Sequence, residues 1–99
     1  MTNFSDYATK DLRLVLLRCL AEQTAYVGND LVLQHEVQAH GLSRSRDVIR
    51  TELRWLSEVG AITLKDAGPV FVATLTLRGH EHVKGLTQIE GINKPSPEA

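Results

Sequence analysis

Cysteine is almost absent from this sequence of 99 residues, and the single cysteine, Cys19, has no partner for an intramolecular disulfide bond. It lies in an apolar stretch of the first predicted helix, where a free thiol can pack as a small hydrophobic group. No segment approaches the roughly 18 apolar residues of a membrane span, and the first ten residues, MTNFSDYATK, lack the apolar core of a secretory signal. We therefore expect a soluble, unprocessed, cytoplasmic protein with no membrane partner.

An excess of positive charge is also missing. The sequence has 11 Lys and Arg against 12 Asp and Glu, a formal net charge of −1. This balance disfavours a general nucleic-acid coating protein, which needs an overall cationic attraction, so any binding to nucleic acid must come from local charge. The length allows one domain and no separate sensor or catalytic domain, and we assign residues 1–90 to that domain and residues 91–99 to a flexible tail.

Patterns that carry catalysis or bind metals are missing as well. No combination of serine, histidine and acid stands out, and there is no glycine-rich phosphate loop. The four histidines, His35, His40, His80 and His82, are not joined by paired cysteines and lack a good ligand spacing on a helix. We interpret them as ordinary surface residues, and we expect no enzyme activity, no metal and no cofactor.

The first predicted helix covers residues 6–22 and has apolar side chains on two faces. Its core stripe consists of Leu12, Val15, Leu16, Cys19 and Leu20. A second apolar set falls on another face and consists of Leu14, Leu17 and Ala21. A small domain rarely buries both sides of a terminal helix, so this second set indicates either a homodimer interface or a surface that the last helix covers.

Two further helices are predicted over residues 30–40 and 43–59, and Gly41 is the left-handed stop between them. In the third helix Ile49, Leu53 and Leu56 have the spacing of a core face. The sequence from Gly41 to Ile62, GLSRSRDVIRTELRWLSEVGAI, therefore has the form of a helix-turn-helix. Trp55 fits the core as well, with an exposed partner surface as the alternative.

After Gly60 the apolar residues alternate with polar ones, which indicates strands over residues 62–65 and 71–77. The segment DAGP, residues 66–69, joins them as the tip of a hairpin. Tyr26 and Val27 could pair as a minor strand, and a weak final helix, interrupted by Gly79 and Gly85, is predicted over residues 78–89. The predicted fold class is α+β, with a three-helix core, a two-stranded hairpin and a C-terminal helix.

This order of elements resembles the winged helix-turn-helix superfamily from about Asp6 to Leu86. The passage from the third helix into the first hairpin strand resembles MarR-like, PadR-like and ArsR-like regulators, and its residues are Ile49, Leu53, Leu56, Val59, Gly60, Ala61 and Ile62. The sequence LTLRGH, residues 75–80, looks like their "LT-x-x-G" exit from the hairpin into the last helix. The resemblance implies a winged helix, in which the two-stranded hairpin is the wing.

In these regulators the third helix enters the major groove and the hairpin tip approaches the flanking DNA backbone. Carried over, this implies groove or phosphate contacts by Arg44, Arg46, Arg50, Thr51 and Arg54, with Lys65 as the wing contact. Helix amides near Ser43 can also face a phosphate. The resemblance thus implies a transcriptional regulator that binds double-stranded DNA as a homodimer.

Two alternatives stay open at the level of sequence. The arginine stripe could be a solvated helix face, because Arg46 and Arg50 have acids at useful spacing. The whole domain could instead be a protein-interaction module or adaptor, since near-neutral charge and a surplus apolar face suit a protein partner. Fold alone does not decide between these functions.

Overall fold

The computed structural model describes residues 4–95, which form an α+β arrangement of four α-helices and a three-stranded antiparallel sheet. The elements in chain order are α1 (Phe4–Glu22), a 3-10 helix (Thr24–Tyr26), β1 (Val27–Asn29), α2 (Asp30–Ala39), α3 (Arg46–Glu58), β2 (Ile62–Ala67), β3 (Val70–Leu75) and α4 (Leu77–Val83). Within residues 4–95, none of the helices has the length and apolar character needed to cross a bilayer.

Side-chain caps determine where the middle helices begin. Asn29 Oδ1 accepts a hydrogen bond from Val32 N at 2.8 Å, so Asn29 caps α2. Ser45 Oγ accepts from Val48 N at 3.2 Å and caps α3. The third helix therefore begins at Arg46 rather than at residue 43, because Ser45 supplies the cap and Ser43 lies in the preceding turn.

The sheet has the order β1-β3-β2, with β3 in the centre. In the hairpin, Ile62 lies opposite Leu75 and Ala67 lies opposite Val70. The short strand β1 joins the other side of β3, where Val27 lies opposite Thr74. The sheet is therefore one strand larger than the predicted two-stranded hairpin. The pairing proposed for Tyr26 and Val27 is confirmed for Val27 only, because Tyr26 ends a 3-10 helix, Thr24–Tyr26.

Helix α1 is the centre of the core, and α2, β3 and α4 all pack on it. The predicted core face of α1 is buried, including Cys19. Leu14 and Leu17 are buried too, with exposed fractions of 4% and 0%, and the partly buried Ala21 packs against the same core. The dimer interface predicted at Leu14, Leu17 and Ala21 is therefore wrong, because elements of the same chain cover α1 on several sides.

Substitution Leu17→Glu should consequently unfold the protein instead of dissociating a dimer. It removes a fully buried side chain and places a charge without a partner in the core, which we expect to cost more than about 4 kcal/mol. Circular dichroism during urea denaturation measures this loss. Tyr7→Glu, on the exposed first part of the same helix, is the control and should change little. A folded, stable Leu17→Glu protein would contradict the burial.

The last helix is shorter than predicted and ends at Val83 instead of residue 89. Gly85 has φ +78°, and the bonds Gly85 N to His82 O (3.0 Å) and Leu86 N to Glu81 O (2.8 Å) close the helix in a Schellman motif. Gly85 is thus a helix stop, as Gly41 and Gly60 are for α2 and α3.

Beyond α4 the chain returns to α1 through contacts with a buried histidine. His82 is fully buried; its Nδ1 accepts from Ile89 N at 3.1 Å, so its Nε2–H donates to Asn93 O at 2.9 Å. Asn93 N donates to Lys10 O, and Ile92 is buried. The interpretation of His82 as a surface residue is wrong, and the ordered chain extends at least to residue 93. Residues 1–3 of the predicted domain and 96–99 of the predicted tail lie outside the described residues.

Candidate nucleic-acid interface

Helix α3 has one face in the core and an opposite face in solvent. Ile49, Leu53 and Leu56 are fully buried, as their spacing predicted. The exposed face carries Asp47, Thr51, Arg54 and Glu58. This face therefore offers one cation between two acids, which is less positive than the sequence stripe indicated.

Arg46 and Arg50 lie on the flank of α3 that faces α2 and the hairpin tip. Both donate Nε–H to Asp30 Oδ2, over 2.9 Å from Arg46 and 2.6 Å from Arg50. Both also donate from Nη2 to Pro69 O; the distance from Arg50 is 2.8 Å. The two arginines therefore tie α3 to the start of α2 and to the tip of the hairpin, and neither is simply solvated.

Asp30 is the residue on which this arrangement depends. It is the first residue of α2 and its side chain is fully buried. Its second oxygen, Oδ1, accepts from Phe71 N at 3.1 Å. Burial raises the pKa of Asp30, but hydrogen bonds from Arg50, Arg46 and Phe71 N outweigh burial and hold the pKa below its ordinary value of 3.8. The carboxylate is therefore ionised at neutral pH and shared by two guanidinium groups.

Sequence reasoning missed Asp30, which stands simply as the first residue of the second predicted helix. Asn29 takes the capping role, which leaves the Asp30 carboxylate free to turn inward. The one signal in the sequence is the spacing of Arg46 and Arg50, since arginines four apart on a helix can share one acceptor. Nothing local indicates that the acceptor lies 16 residues before the first of them.

Phe71 lies beneath this group of arginines. The guanidinium carbon of Arg50 is 4.3 Å from the centre of the Phe71 ring, and that of Arg54 is 4.9 Å away. We call Arg46, Arg50 and Arg54 the arginine edge. It is the part of the predicted site that the structure brings together, at the junction of α3 with the hairpin.

The other predicted contacts do not join this group. Arg44 Nη1 donates to Ser43 O at 3.0 Å, and Gln34 Nε2 donates to Arg44 O at 3.1 Å, so this turn is held against α2. Thr51 and Lys65 are exposed, on α3 and β2 respectively. Within residues 4–95, no hydrogen bond or ring contact links Ser43, Arg44, Thr51 or Lys65 to the arginine edge.

Trp55 belongs to a packing contact on the other side of α3. The Arg13 guanidinium lies 3.6 Å from the centre of its ring, while Arg13 Nε binds Glu52 Oε1 at 2.7 Å and Arg13 Nη1 donates to Gly91 O at 2.9 Å. Gly91 has φ +96° and leaves no room for a Cβ atom beside the indole. Trp55 packs against the core, so the prediction that it is a core residue is confirmed. Glu52 forms an ion pair with Arg13 of α1.

The Cys19 thiol is buried and remains protonated at neutral pH. Burial, followed by the charges of Glu36 and Glu22, raises the pKa of Cys19 to about 12, so the thiol is inert at neutral pH. Across residues 4–95, no group of three or more His, Cys, Asp or Glu side chains could hold a metal ion.

Two proteins in phage and bacterial sources are similar to this chain. Over 95 residues it is 36% identical to the uncharacterized protein gp26 of Escherichia phage Mu, a match that covers 96% of this chain and 98% of the phage protein. It is 39% identical over 79 residues to an uncharacterized protein of Haemophilus influenzae, which covers 77% of this chain and 74% of that protein. No protein-family model and no solved structure matches the chain.

Proposed function

This chain belongs to the family of gp26 of Escherichia phage Mu, and we propose that it is a winged helix-turn-helix protein that binds duplex DNA. The element order and the strand order β1-β3-β2 support a winged-helix arrangement, in which the β2–β3 hairpin is the wing. In this arrangement α3 enters the major groove and the hairpin lies beside it over the flanking backbone. The protein would regulate transcription by occupying its site.

The observation that carries the proposal is the arginine edge. Three guanidinium groups from one side of α3 meet the hairpin at Pro69 and Phe71, so the helix and the wing present one cationic border. Arginine forks bind DNA phosphates and guanine edges, and phosphate contacts set the register of a helix in the groove. Thr51 is exposed beside this edge on α3, where a hydroxyl can bind either a phosphate or a base.

The surrounding charges limit the expected affinity. Asp47 and Glu58 share the exposed face of α3, and Asp66 stands at the hairpin tip. Asp30 also neutralises one of the two arginines that share it. We therefore propose that a single copy makes few phosphate contacts and that two copies bind together, with their α3 helices one helical turn of DNA apart, about 34 Å. Such a dimer would use a surface other than Leu14 and Leu17.

Fluorescence anisotropy of mixed-sequence duplex DNA over a salt series tests this function. The variant Arg54→Ala/Lys65→Ala removes two exposed cations from α3 and the hairpin without touching the Asp30 ion pairs. We expect binding to be about tenfold weaker or more, and the slope of log affinity against log salt to become shallower by about 2.

The matched control is Lys84→Ala/Lys94→Ala, which removes the same charge from exposed positions after α4. It should bind DNA nearly as the wild type does. If the two double variants lose the same amount of DNA affinity, binding depends on net charge alone and does not involve α3. A folded wild-type protein that fails to bind at low salt would refute the proposed function.

A protein-interaction module is the second candidate, and the exposed apolar side chains favour it. Phe4 is 84% exposed at the start of α1, and Leu77 and Leu86 are 72% and 75% exposed at the two ends of the α4 region. A second protein could cover such exposed apolar side chains. Sedimentation of the wild type against Leu77→Glu/Leu86→Glu would show whether this surface joins two copies, since only a self-associated protein loses mass on substitution.

A further inference from the structure

The guanidinium groups of Arg46 and Arg50 are held along the same edge. Each has five N–H donors in a plane, and here the edge formed by Nε and Nη2 points inward to Asp30 Oδ2 and Pro69 O. The two residues are one turn apart on α3, so their groups lie side by side against the same two acceptors. Phe71 also holds the Arg50 group from its face, over 4.3 Å.

The Nη1 side of each of these two guanidinium groups remains available to bind a ligand. Among the described residues, 4–95, neither Nη1 atom of Arg46 or Arg50 has a hydrogen-bond partner. The hydrogen bonds to Pro69 O lie at the protein surface, and the side chains of Arg46 and Arg50 are 36% and 24% exposed. Each arginine therefore presents an end-on fork, made of Nη1 and the outer hydrogen of Nη2, at the surface.

We propose that Asp30 is a positioning residue that fixes Arg46 and Arg50 as a paired clamp for one backbone phosphate of DNA, at the junction of α3 and the hairpin. A guanidinium fork matches two phosphate oxygens, and two fixed forks bind without losing further rotamer entropy. The clamp sets the register of the protein on DNA, and the exposed Thr51 and Arg54 contact the groove beside it. This inference rests on the DNA-binding function proposed above.

The substitution Asp30→Asn separates positioning from simple electrostatics, because the two predict opposite signs. Removing a negative charge beside two cations should strengthen binding to DNA if charge alone matters. If Asp30 acts by positioning, the loss of the shared carboxylate releases both arginines and binding weakens. Asp66→Asn is the matched control: it removes the same charge from the exposed hairpin tip, and an amide oxygen can still accept the bond from Gly68 N.

We expect Asp30→Asn to bind duplex DNA about five- to tenfold more weakly than the wild type in anisotropy at one salt concentration, while Asp66→Asn binds equally or more tightly. Melting curves first establish a temperature at which both variants are folded. Arg46→Lys and Arg50→Lys are the second pair of variants, since lysine keeps the charge without the fork. Each lysine variant should also bind DNA about five- to tenfold more weakly than the wild type. If Asp30→Asn does not fold, these two variants test whether the guanidinium forks are needed.

A readout without DNA follows the arginines themselves. In nitrogen-edited NMR spectra, the two Nε–H signals should be resolved in the wild type and should lose their distinct shifts in Asp30→Asn. If the wild type binds DNA and Asp30→Asn binds it equally well or more tightly, the positioning role is overturned. The same holds if both lysine variants bind DNA as tightly as the wild type. In either case the proposed DNA-binding function stands. No binding by the folded wild type overturns the DNA function itself, and the phosphate clamp with it.

Discussion

Replacing Gly79 with alanine is expected to lower the free energy of unfolding by about 3 kcal/mol or more. A Cβ atom on Gly79 would overlap Ala61 O and stand 2.8 Å from Leu75 Cδ1. The carbonyl cannot easily retreat, because Thr76 N donates to it over 3.1 Å and so joins the start of α4 to the start of β2. The new methyl group would therefore push α4 away from the sheet.

The expected sign is opposite to that of an ordinary helix, where alanine is favoured over glycine by about 1 kcal/mol. Urea denaturation followed by circular dichroism measures the difference. Gly85→Ala is the control, because Gly85 has φ +78° and its nearest non-local atom is Pro95 Cγ at 3.9 Å. Gly85→Ala should lower the free energy of unfolding by only about 1 to 2 kcal/mol, because alanine must then adopt the left-handed conformation. Gly79→Ala as stable as Gly85→Ala would contradict the close packing.

Periodicity predicted the parts of the fold that depend on local sequence. The core faces of the first and third helices and the alternation in β2 and β3 have the burial that their spacing indicated. Gly41 and Gly60 ended their helices as expected, with φ of +83° and +82°. These features could be predicted because neighbouring residues determine them.

The errors lie where distant parts of the chain meet. Leu14 and Leu17 form a surplus face in the sequence pattern because their cover comes from elements far along the chain. His82 lacked a visible role because its partners, the backbone groups of Ile89 and Asn93, lie in a segment without any periodic pattern. The sequence pattern places Gly85 inside the last helix for the same reason.

The sequence predicted the three arginines of the arginine edge and missed the carboxylate that two of them share. A charge stripe on α3 can be recognised from helical spacing, and Arg46, Arg50 and Arg54 do come together. Their shared acceptor, Asp30, lies on another helix and its carboxylate points inward only because Asn29 supplies the cap. A single sequence carries no pattern that pairs residue 30 with residues 46 and 50. The ion pairs between them therefore follow only from the folded structure.

Replacing Asp30 with alanine is expected to destabilise the protein by about 2 to 4 kcal/mol, although aspartate is a polar residue at a helix start. The change leaves Arg46 and Arg50 without their shared carboxylate and Phe71 N without an acceptor at a fully buried position. The largest cost falls on the buried Phe71 N–H, which loses its acceptor, whereas the partly exposed arginines can bind water in place of the carboxylate. Asp66→Ala, at the exposed hairpin tip, should cost less than about 1 kcal/mol.

The contribution of Asp30 should also depend on pH in a defined direction. Because the pKa of Asp30 in the folded protein lies below its ordinary value of 3.8, its stabilising effect is fully present above that pH and is lost as the pH falls through the folded value. The difference in unfolding free energy between the wild type and Asp30→Asn isolates this residue from the other carboxylates. It should be constant from neutral pH to about 4 and shrink below it. A difference that stays constant into strong acid would show that the two arginines do not hold the carboxylate in its ionised form.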